Sequence, residues 1–301
     1  MKNRRADDQI RTHKPFEPLL YLAPFFLGVI VFTLYPFLRT IAISFLEDYK
    51  YISHSYRSIG TGNYVKVFSD PYFHSALKNT GIYVLLVVPL SLCLGIAVAV
   101  LLNRNIRLRG LFQTCYFLPI TTSVTALGLV WKWIYNYDYG ILNYLLSLFH
   151  MPPVNWLNDP AYGMFCIVIY GTWSILPITI ILLLAGLQNI DPQYAVAAKV
   201  DGAGSASVFF RITLPLMAPQ IGLVMIVNVI TTSKVFNELF PLFNGKPGIA
   251  GSLYTLIYYI YDSFYTKWQL GPASASAVIL FVIVFVLTML QLYLQRKWKN
   301  Y

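Results

Sequence analysis

Charged residues divide the chain into six long apolar windows, Pro18–Leu38, Asn79–Asn103, Gly110–Trp131, Pro160–Ile190, Ile212–Ser233 and Trp268–Gln295. Each holds the roughly 20 residues that a helix needs to cross a hydrocarbon core. The pattern predicts an all-α integral membrane protein of about six transmembrane helices, at about 18–42, 79–103, 110–134, 161–187, 213–236 and 271–295. A single membrane domain, 18–295, lies between polar tails at 1–17 and 296–301, with no internal repeat or second soluble domain. Pro89, Gly95, Pro119, Gly128, Gly171 and Pro177 lie inside windows. There they weaken or break helical hydrogen bonding where water is absent, so neighbouring helices must satisfy the freed groups.

Composition places the chain in the same compartment. Of 301 residues, 57% are hydrophobic and 11% charged, with mean hydropathy +0.60, whereas a soluble globule carries about a quarter charged residues. With the amino end inside, thirteen of the 22 Lys and Arg residues fall in inner segments, a bias of the kind that orients membrane proteins. Both termini and the 188–212 loop are then expected on the cytoplasmic side. The net charge of +10 is accounted for by topology and anionic lipid headgroups, and no nucleic-acid partner is needed. The first window is too long for a cleaved signal peptide and no small-x-small site precedes Tyr35-Pro36, so it reads as a retained span.

Candidate chemistry is sparse. Cys93, Cys115 and Cys166 are scattered inside windows without metal-ligand spacing and read as small packing residues. His13, His54, His74 and His150 lie in tails or loops and read as surface residues. No metal site, H-E-x-x-H helix, in-span carboxylate pair or Ser/His/Asp cluster is expected, so no catalytic residue is assigned.

The distinctive segment lies between the fourth and fifth windows, in DPQYAVAAKVDGAGSASVFFRITLP from Asp191 to Pro215. Asp191 is positioned to cap a helix whose first residue is Pro192, since a carboxylate accepts the orphan N–H groups and proline loses nothing there. Gly202, after Asp201, is suited to the left-handed conformation that ends a helix, and Ser205 to capping a second short one. The result is a tight elbow of two short helices rich in alanine and glycine, residues that let another backbone approach closely.

Ala197-Ala198-Lys199-Val200-Asp201-Gly202-Ala203, with Ile212-Thr213-Leu214-Pro215 after a nine-residue gap from Gly202, resembles the EAA loop of binding-protein-dependent ABC transporter permeases. Val196 stands where that family carries its motif glutamate. Further likenesses to the carbohydrate-uptake class, the maltose, multiple-sugar and glycerol-phosphate permeases, extend the resemblance from about Leu19 to the end of the chain. They are the GTGNY segment at 60–64, Trp173 with Pro177, Asn244-Gly245-Lys246-Pro247, the Thr255–Tyr261 run and Gly271-Pro272-Ala273-Ser274-Ala275. The resemblance implies a permease subunit of a bacterial plasma-membrane importer. Ala197, Ala198, Asp201, Gly202, Ala203, Ile212, Leu214 and Pro215 would form the coupling loop that docks on an ATPase. It implies a second homologous permease, two ATP-binding cassette subunits and an external solute-binding protein as partners. No cofactor belongs to this chain: it has no G-x-x-x-x-G-K-[ST] loop, so ATP and Mg²⁺ would sit on the partner ATPase. A different class, a secondary transporter or channel, predicts ionisable residues within the spans, and the six windows contain none.

Polar residues inside spans are costly in lipid and tend to face the bundle interior or a cavity. Asn228, Thr231 and Thr232, at helical spacing, are therefore substrate-path candidates, with Trp173 or Tyr170 as a ring on which the apolar face of a sugar stacks. The competing role is hydrogen bonding between spans. The sequence does not distinguish among the solutes such permeases carry.

Overall fold

The computed structural model describes residues 17–104 and 109–298. The tail at 1–16 with His13, residues 105–108 of the predicted basic loop, residues 299–301 and the side chain of Cys115 lie outside that description. The described residues are mostly helical, and their only sheet is a two-stranded ribbon of β1 (Leu46–Glu47) and β2 (Ser58–Ile59).

The first span is a helix in three parts: α1 (Glu17–Val29), a π turn at Ile30–Leu34, and α2 (Tyr35–Ser44). Pro36 supplies no N–H to the preceding turn, and the wider π turn absorbs that loss without a break. After the ribbon and the short α3 (Gly62–Phe68), α4 (Pro71–Leu102) runs for 32 residues, about 48 Å at the helical rise. It starts before the window that predicted it because Lys78 limits the apolar stretch, not the helix. Asp70 accepts a hydrogen bond from the Tyr72 N–H at the helix start.

The third window is not one helix. It forms α5 (Arg109–Thr121) and α6 (Val124–Ile134), separated at Thr122 and Ser123. Pro119 removes a donor near the end of α5, and the hydroxyls of Thr121 and Thr122 both donate to the Leu118 carbonyl, at 3.0 and 2.9 Å. Beyond α7 (Ile141–Leu148), α8 (Pro160–Gln188) is unbroken over 29 residues despite Pro177.

The fifth window is bent. The elbow helices α9 (Pro192–Val200) and α10 (Ser205–Val208) lead through a π turn at Phe209–Thr213 into α11 (Leu214–Leu216) and then α12 (Ala218–Thr232). The axis turns by 64° between Ser205–Leu216 and Ala218–Thr232. Pro215 and Pro219, four residues apart, each remove a donor on either side of the bend. The short α13 (Leu239–Leu242) and α14 (Leu256–Tyr261) precede a π turn at Asp262–Thr266 and the last helix, α15 (Leu270–Trp298). Among the described residues four continuous helices are long and apolar enough to cross a membrane, five with the bent pair. The third of the six expected spans is divided and the fifth bent, with proline at both places.

The core of the bundle is the face shared by α4 and α8. Gly95 on α4 lies under Thr179 of α8, where an added Cβ would come within 2.6 Å of Thr179 Cγ2, and Gly171 on α8 lies directly against the Tyr83 hydroxyl of α4. These contacts bring the two backbones together. Tyr83, Val87, Cys166, Ile167 and Tyr170 fill one end of this seam and Ala99, Ile180, Leu183 and Leu187 the other. α12 crosses both. At its lower end Gln220 Nε2 donates to Leu182 O at 2.9 Å, and Gln295 Nε2 of α15 donates to Pro219 O at 2.7 Å. One end of the bundle thus collects the elbow, the start of α12 and the end of α15. The opposite end, the far end, carries segments 45–70, 135–159 and 233–269. Asn79 Nδ2 ties the last of these to α4 through Ser252 O and Tyr254 O, at 2.9 and 3.0 Å.

Replacing Gly171 by leucine forces a side chain into the space of the Tyr83 ring, and overpacking of this kind costs about 1–3 kcal/mol. Thermal unfolding of the detergent-solubilised Gly171→Leu protein is expected at a clearly lower temperature than wild type, and Tyr83→Phe in the same background is expected to recover little, because the ring remains.

Candidate functional site

The elbow is built by its caps. Asp191 Oδ1 accepts from the Gln193 N–H at 2.9 Å, with Pro192 as the first helical residue. At the other end Gly202 adopts φ +82°, the Ala203 N–H reaches Ala198 O at 2.9 Å, and the Gly202 N–H reaches Lys199 O at 3.0 Å. This pair of bonds satisfies the last carbonyls of α9 and reverses the chain in three residues, the closure for which glycine is favoured. Ser205 does not cap α10: the capping position is Gly204, and Ser205 is already helical. With extended backbone at φ −70° and ψ 156°, the glycine enters the second helix without a side-chain bond.

No residue of α9 is buried. Ala197, Asp201 and Gly202 are exposed, while Ala198 and Ala203 are half-buried on the side facing the bundle. Tyr194, Val196 and Val200 expose 56%, 60% and 83% of their surface. The elbow therefore presents a partly apolar ledge that no other described residue covers. Ile212 and Leu214 are half-buried and Pro215 exposed. They stand in the π turn and α11, in the stem that joins the elbow to α12.

The polar residues of the fifth window divide. Asn228 is 2% exposed, and its Nδ2 donates to Ser91 Oγ of α4 at 3.1 Å and Thr179 Oγ1 of α8 at 3.0 Å. Thr232, also buried, donates to Asn228 O at 2.7 Å. Thr231, one residue away, is exposed, with its hydroxyl on Val227 O at 2.9 Å. Asn228 thus joins three helices at one point, Thr232 bonds back within α12, and Thr231 faces outward. Trp173 is half-buried in a ring cluster, 5.6 Å from Trp131 and 6.5 Å from Tyr170. Ser91 and Thr179 were not singled out from the sequence, although a hydroxyl inside an apolar window is itself the signal of a buried polar contact.

At the far end the loops are pinned by charge-assisted bonds. Glu47 accepts from the Ser58 hydroxyl at 2.6 Å and the Gly62 N–H at 2.9 Å, and the Ser58 bond, then the Gly62 bond, hold its carboxyl below the ordinary value. Asp48 is lowered in the same way by the Lys66 ammonium, 3.0 Å away. Asp262 accepts from the Tyr254 hydroxyl and pairs with Lys267 at 3.0 Å. Burial opposes ionisation of this carboxyl, but the bonds from Tyr254 and Lys267 prevail and its pKa is lowered. Among the described residues no group of His, Cys, Asp and Glu is placed to hold a metal ion.

Residues 91–300 fit the family model described as "Binding-protein-dependent transport system inner membrane component". The chain belongs to that family. Relatives along nearly its whole length include the lactose transport system permease protein LacF of Rhizobium radiobacter, 34% identical over 93% of this chain and 94% of that one. The arabinooligosaccharides transport system permease protein AraP of Halalkalibacterium halodurans is 33% identical over 94% and 89%, and the trehalose/maltose transport system permease protein MalF of Thermococcus litoralis 32% identical over 91% of each. The fold is that of a chain in a bacterial ABC transporter that imports the acidic polysaccharide alginate, with TM-score 0.80, 23% identity and coverage of 93% and 95%. A chain of a bacterial alginate ABC transporter in complex with an alginate pentasaccharide-bound periplasmic protein matches with TM-score 0.77 and 22% identity over 93% and 94%. The permease is thus the inner-membrane part of a multi-component transport system.

In this permease the Asn228 junction is expected to be worth a modest amount, because the hydroxyls of Ser91 and Thr179 keep backbone acceptors at Val88 O and Ile175 O. Asn228→Leu should lower stability by about 0.6–2 kcal/mol, the range for interhelical hydrogen bonds in membranes. A double-mutant cycle with Thr179→Val, followed by thermal unfolding in detergent, measures the coupling directly.

Proposed function

We propose that this chain is the permease subunit of an ATP-driven ABC importer and forms half of the translocation pathway for a carbohydrate-type solute delivered by an external binding protein. It pairs with a second homologous permease. Two ATP-binding cassette subunits hold and hydrolyse ATP with Mg²⁺, and this chain performs no catalysis. The subunit sits in a bacterial plasma membrane with both termini, 1–17 and 296–301, in the cytoplasm. The broken third and bent fifth windows complete six crossings between positions 18 and 295.

The observation that carries this reading is the exposed ledge of the elbow. A short helix whose two ends are locked by Asp191 and Gly202, and which leaves Tyr194, Val196 and Val200 open to water, is suited to fill a groove on another protein. The 188–212 segment is the mechanical joint, with Ala197, Ala198, Asp201, Gly202 and Ala203 at the contact and Ile212, Leu214 and Pro215 in the stem. Valine at position 196 makes that contact apolar where the family pattern has a glutamate. When the ATPase subunits close, force on α9 passes up the stem into α12, and from α12 through Asn228 to α4 and α8. A rigid-body rotation of this kind exchanges outward for inward access. Thr231 then borders the path that the solute follows, with Asn228, Thr232 and Trp173 supporting it from within the bundle.

The test is assembly and transport in proteoliposomes. Gly202→Val places a branched residue at a positive φ, at a cost of roughly 1–2 kcal/mol confined to the elbow. The variant is expected to insert normally in the membrane, to lose most of its co-purifying ATPase, and to import less than a tenth of the wild-type amount of sugar. Unchanged ATPase association together with unchanged uptake would refute the coupling role. In the wild-type complex, uptake that proceeds without nucleotide would refute the importer reading.

A further inference from the structure

The long helices fall into two bodies. α12 is bound to α4 and α8 by the Asn228 amide, and to α8 again by Gln220. α15 packs instead along α2 and α3, with the Phe281 and Phe37 rings 5.0 Å apart and the Gly271 backbone against the Asn63 amide. At the far end α14 joins the bodies. It runs through its π turn into α15, while its Leu256 N–H donates to Thr80 Oγ1 of α4 at 2.9 Å and its Tyr259 hydroxyl to Asp70 Oδ2 at 2.8 Å. At the elbow end the only side-chain hydrogen bond between α12 and α15, among the described residues, is that of Gln295 Nε2 to Pro219 O.

Two glutamines make ties of the same construction. Gln295 lies over Gly222 of α12, where an added Cβ would come within 2.7 Å of its amide nitrogen, and Gln220 lies directly over Gly186 of α8. In each case the glycine stands three or four residues after the accepting carbonyl, Pro219 or Leu182, on the turn whose side chain would otherwise cover it. The open carbonyl then accepts a second donor. The two ties differ in what lies beside them on their own helix. One turn to either side of Gln220 stand Leu216 and Val224, which offer no acceptor. One turn before Gln295 stands Gln291, whose Oε1 is buried and has no hydrogen-bond partner among the described residues. Residues four apart share a helix face, and an amide oxygen left buried and unpaired is costly to keep.

We propose that Gln295 is a two-position latch between the bodies: in this state its amide holds Pro219 O, and when α12 draws away from α15 the amide turns back to Gln291 Oε1. The donor exchanges one acceptor for another, so the bodies part without stranding a polar group in an apolar seam. The Gln220 tie has no second acceptor, stays closed and keeps α12 on α8. The latch rests on the importer reading and deepens it, since it names the contact that opens when force on the elbow moves α12.

The experiment uses the complete transporter in proteoliposomes: this permease, its partner permease and the ATPases. Cys93, Cys115 and Cys166 are replaced by alanine, and spin labels are attached after Met225→Cys and Tyr293→Cys, at two exposed positions of α12 and α15. The distance distribution is read without nucleotide and with ATP and vanadate. This parent is expected to show a closed and a separated population whose ratio shifts with nucleotide. Gln291→Met keeps the volume and removes the waiting acceptor. It should lower the separated population about tenfold, the effect of one hydrogen bond on an equilibrium, and raise the unfolding temperature, because the unpaired oxygen is gone. Gln295→Met should raise the separated population about tenfold, and Gln291→Glu, which keeps an acceptor, should match the parent. A purely structural role predicts that Gln291→Met changes stability and leaves the ratio alone, and that result overturns the latch. So does an unchanged ratio in Gln295→Met, or failure of Gln291→Met to assemble. A parent with one unvarying population also overturns it, while ATP-dependent sugar uptake by the same complex with its binding protein would leave the importer reading standing.

Discussion

A backbone carbonyl that loses its helical donor inside a bilayer has no water to turn to, and the irregular parts of this protein are answers to that constraint. Pro36 and Pro215 each follow a π turn, in which the preceding helix widens and keeps its continuity. Pro119 has a different outcome: α5 stops two residues later, and threonine hydroxyls occupy the Leu118 carbonyl. The tyrosine at 170 takes the carbonyl of Val124 on the other side of the break. The π turns answer the loss within the helix itself, the break after Pro119 is answered by its own threonines, and α8 contributes through Tyr170.

The close-packed pair α4 and α8 gives the subunit a stiff centre. Glycine at 95 and 171 lets the two helices approach until side chains of one touch the backbone of the other, a density at which small displacements are transmitted rather than absorbed. Asn228 joins α12 to both, and α12 continues through the bend at Met217 into the stem of the elbow. The elbow takes its shape from its two caps, and among the described residues nothing covers its outer surface.

The elbow could be read from local chemistry because Asp191, Pro192 and Gly202 act on groups within a few residues of themselves. Ser205 departs from its expected capping place, which Gly204 takes. Serine and glycine both precede helices well, and the choice of Gly204 followed from the path of the chain after Gly202. The windows located the membrane-crossing stretches, yet α4 outruns its window because charge marks the edge of the hydrocarbon and does not end a helix. Asn228 was legible as a polar residue in an apolar span, whereas its partners lie 49 and 137 positions away and no spacing rule connects them. The tie between Gln295 and Pro219 was the least legible feature, since it joins positions 76 apart.

The sequence alone determined the solvent of this protein, its helical class, the position of its elbow and the family to which the elbow belongs, all of which follow from composition and from contacts within one helical turn. Tertiary structure alone decided that Asn228 bonds two other helices while Thr231 faces away, that Trp173 packs against Trp131 and Tyr170, and that the third span breaks at Thr122 and Ser123. Those outcomes depend on how α4, α8 and α12 cross. The crossing is set by glycine contacts and proline bends acting together across the bundle, and no single segment encodes it.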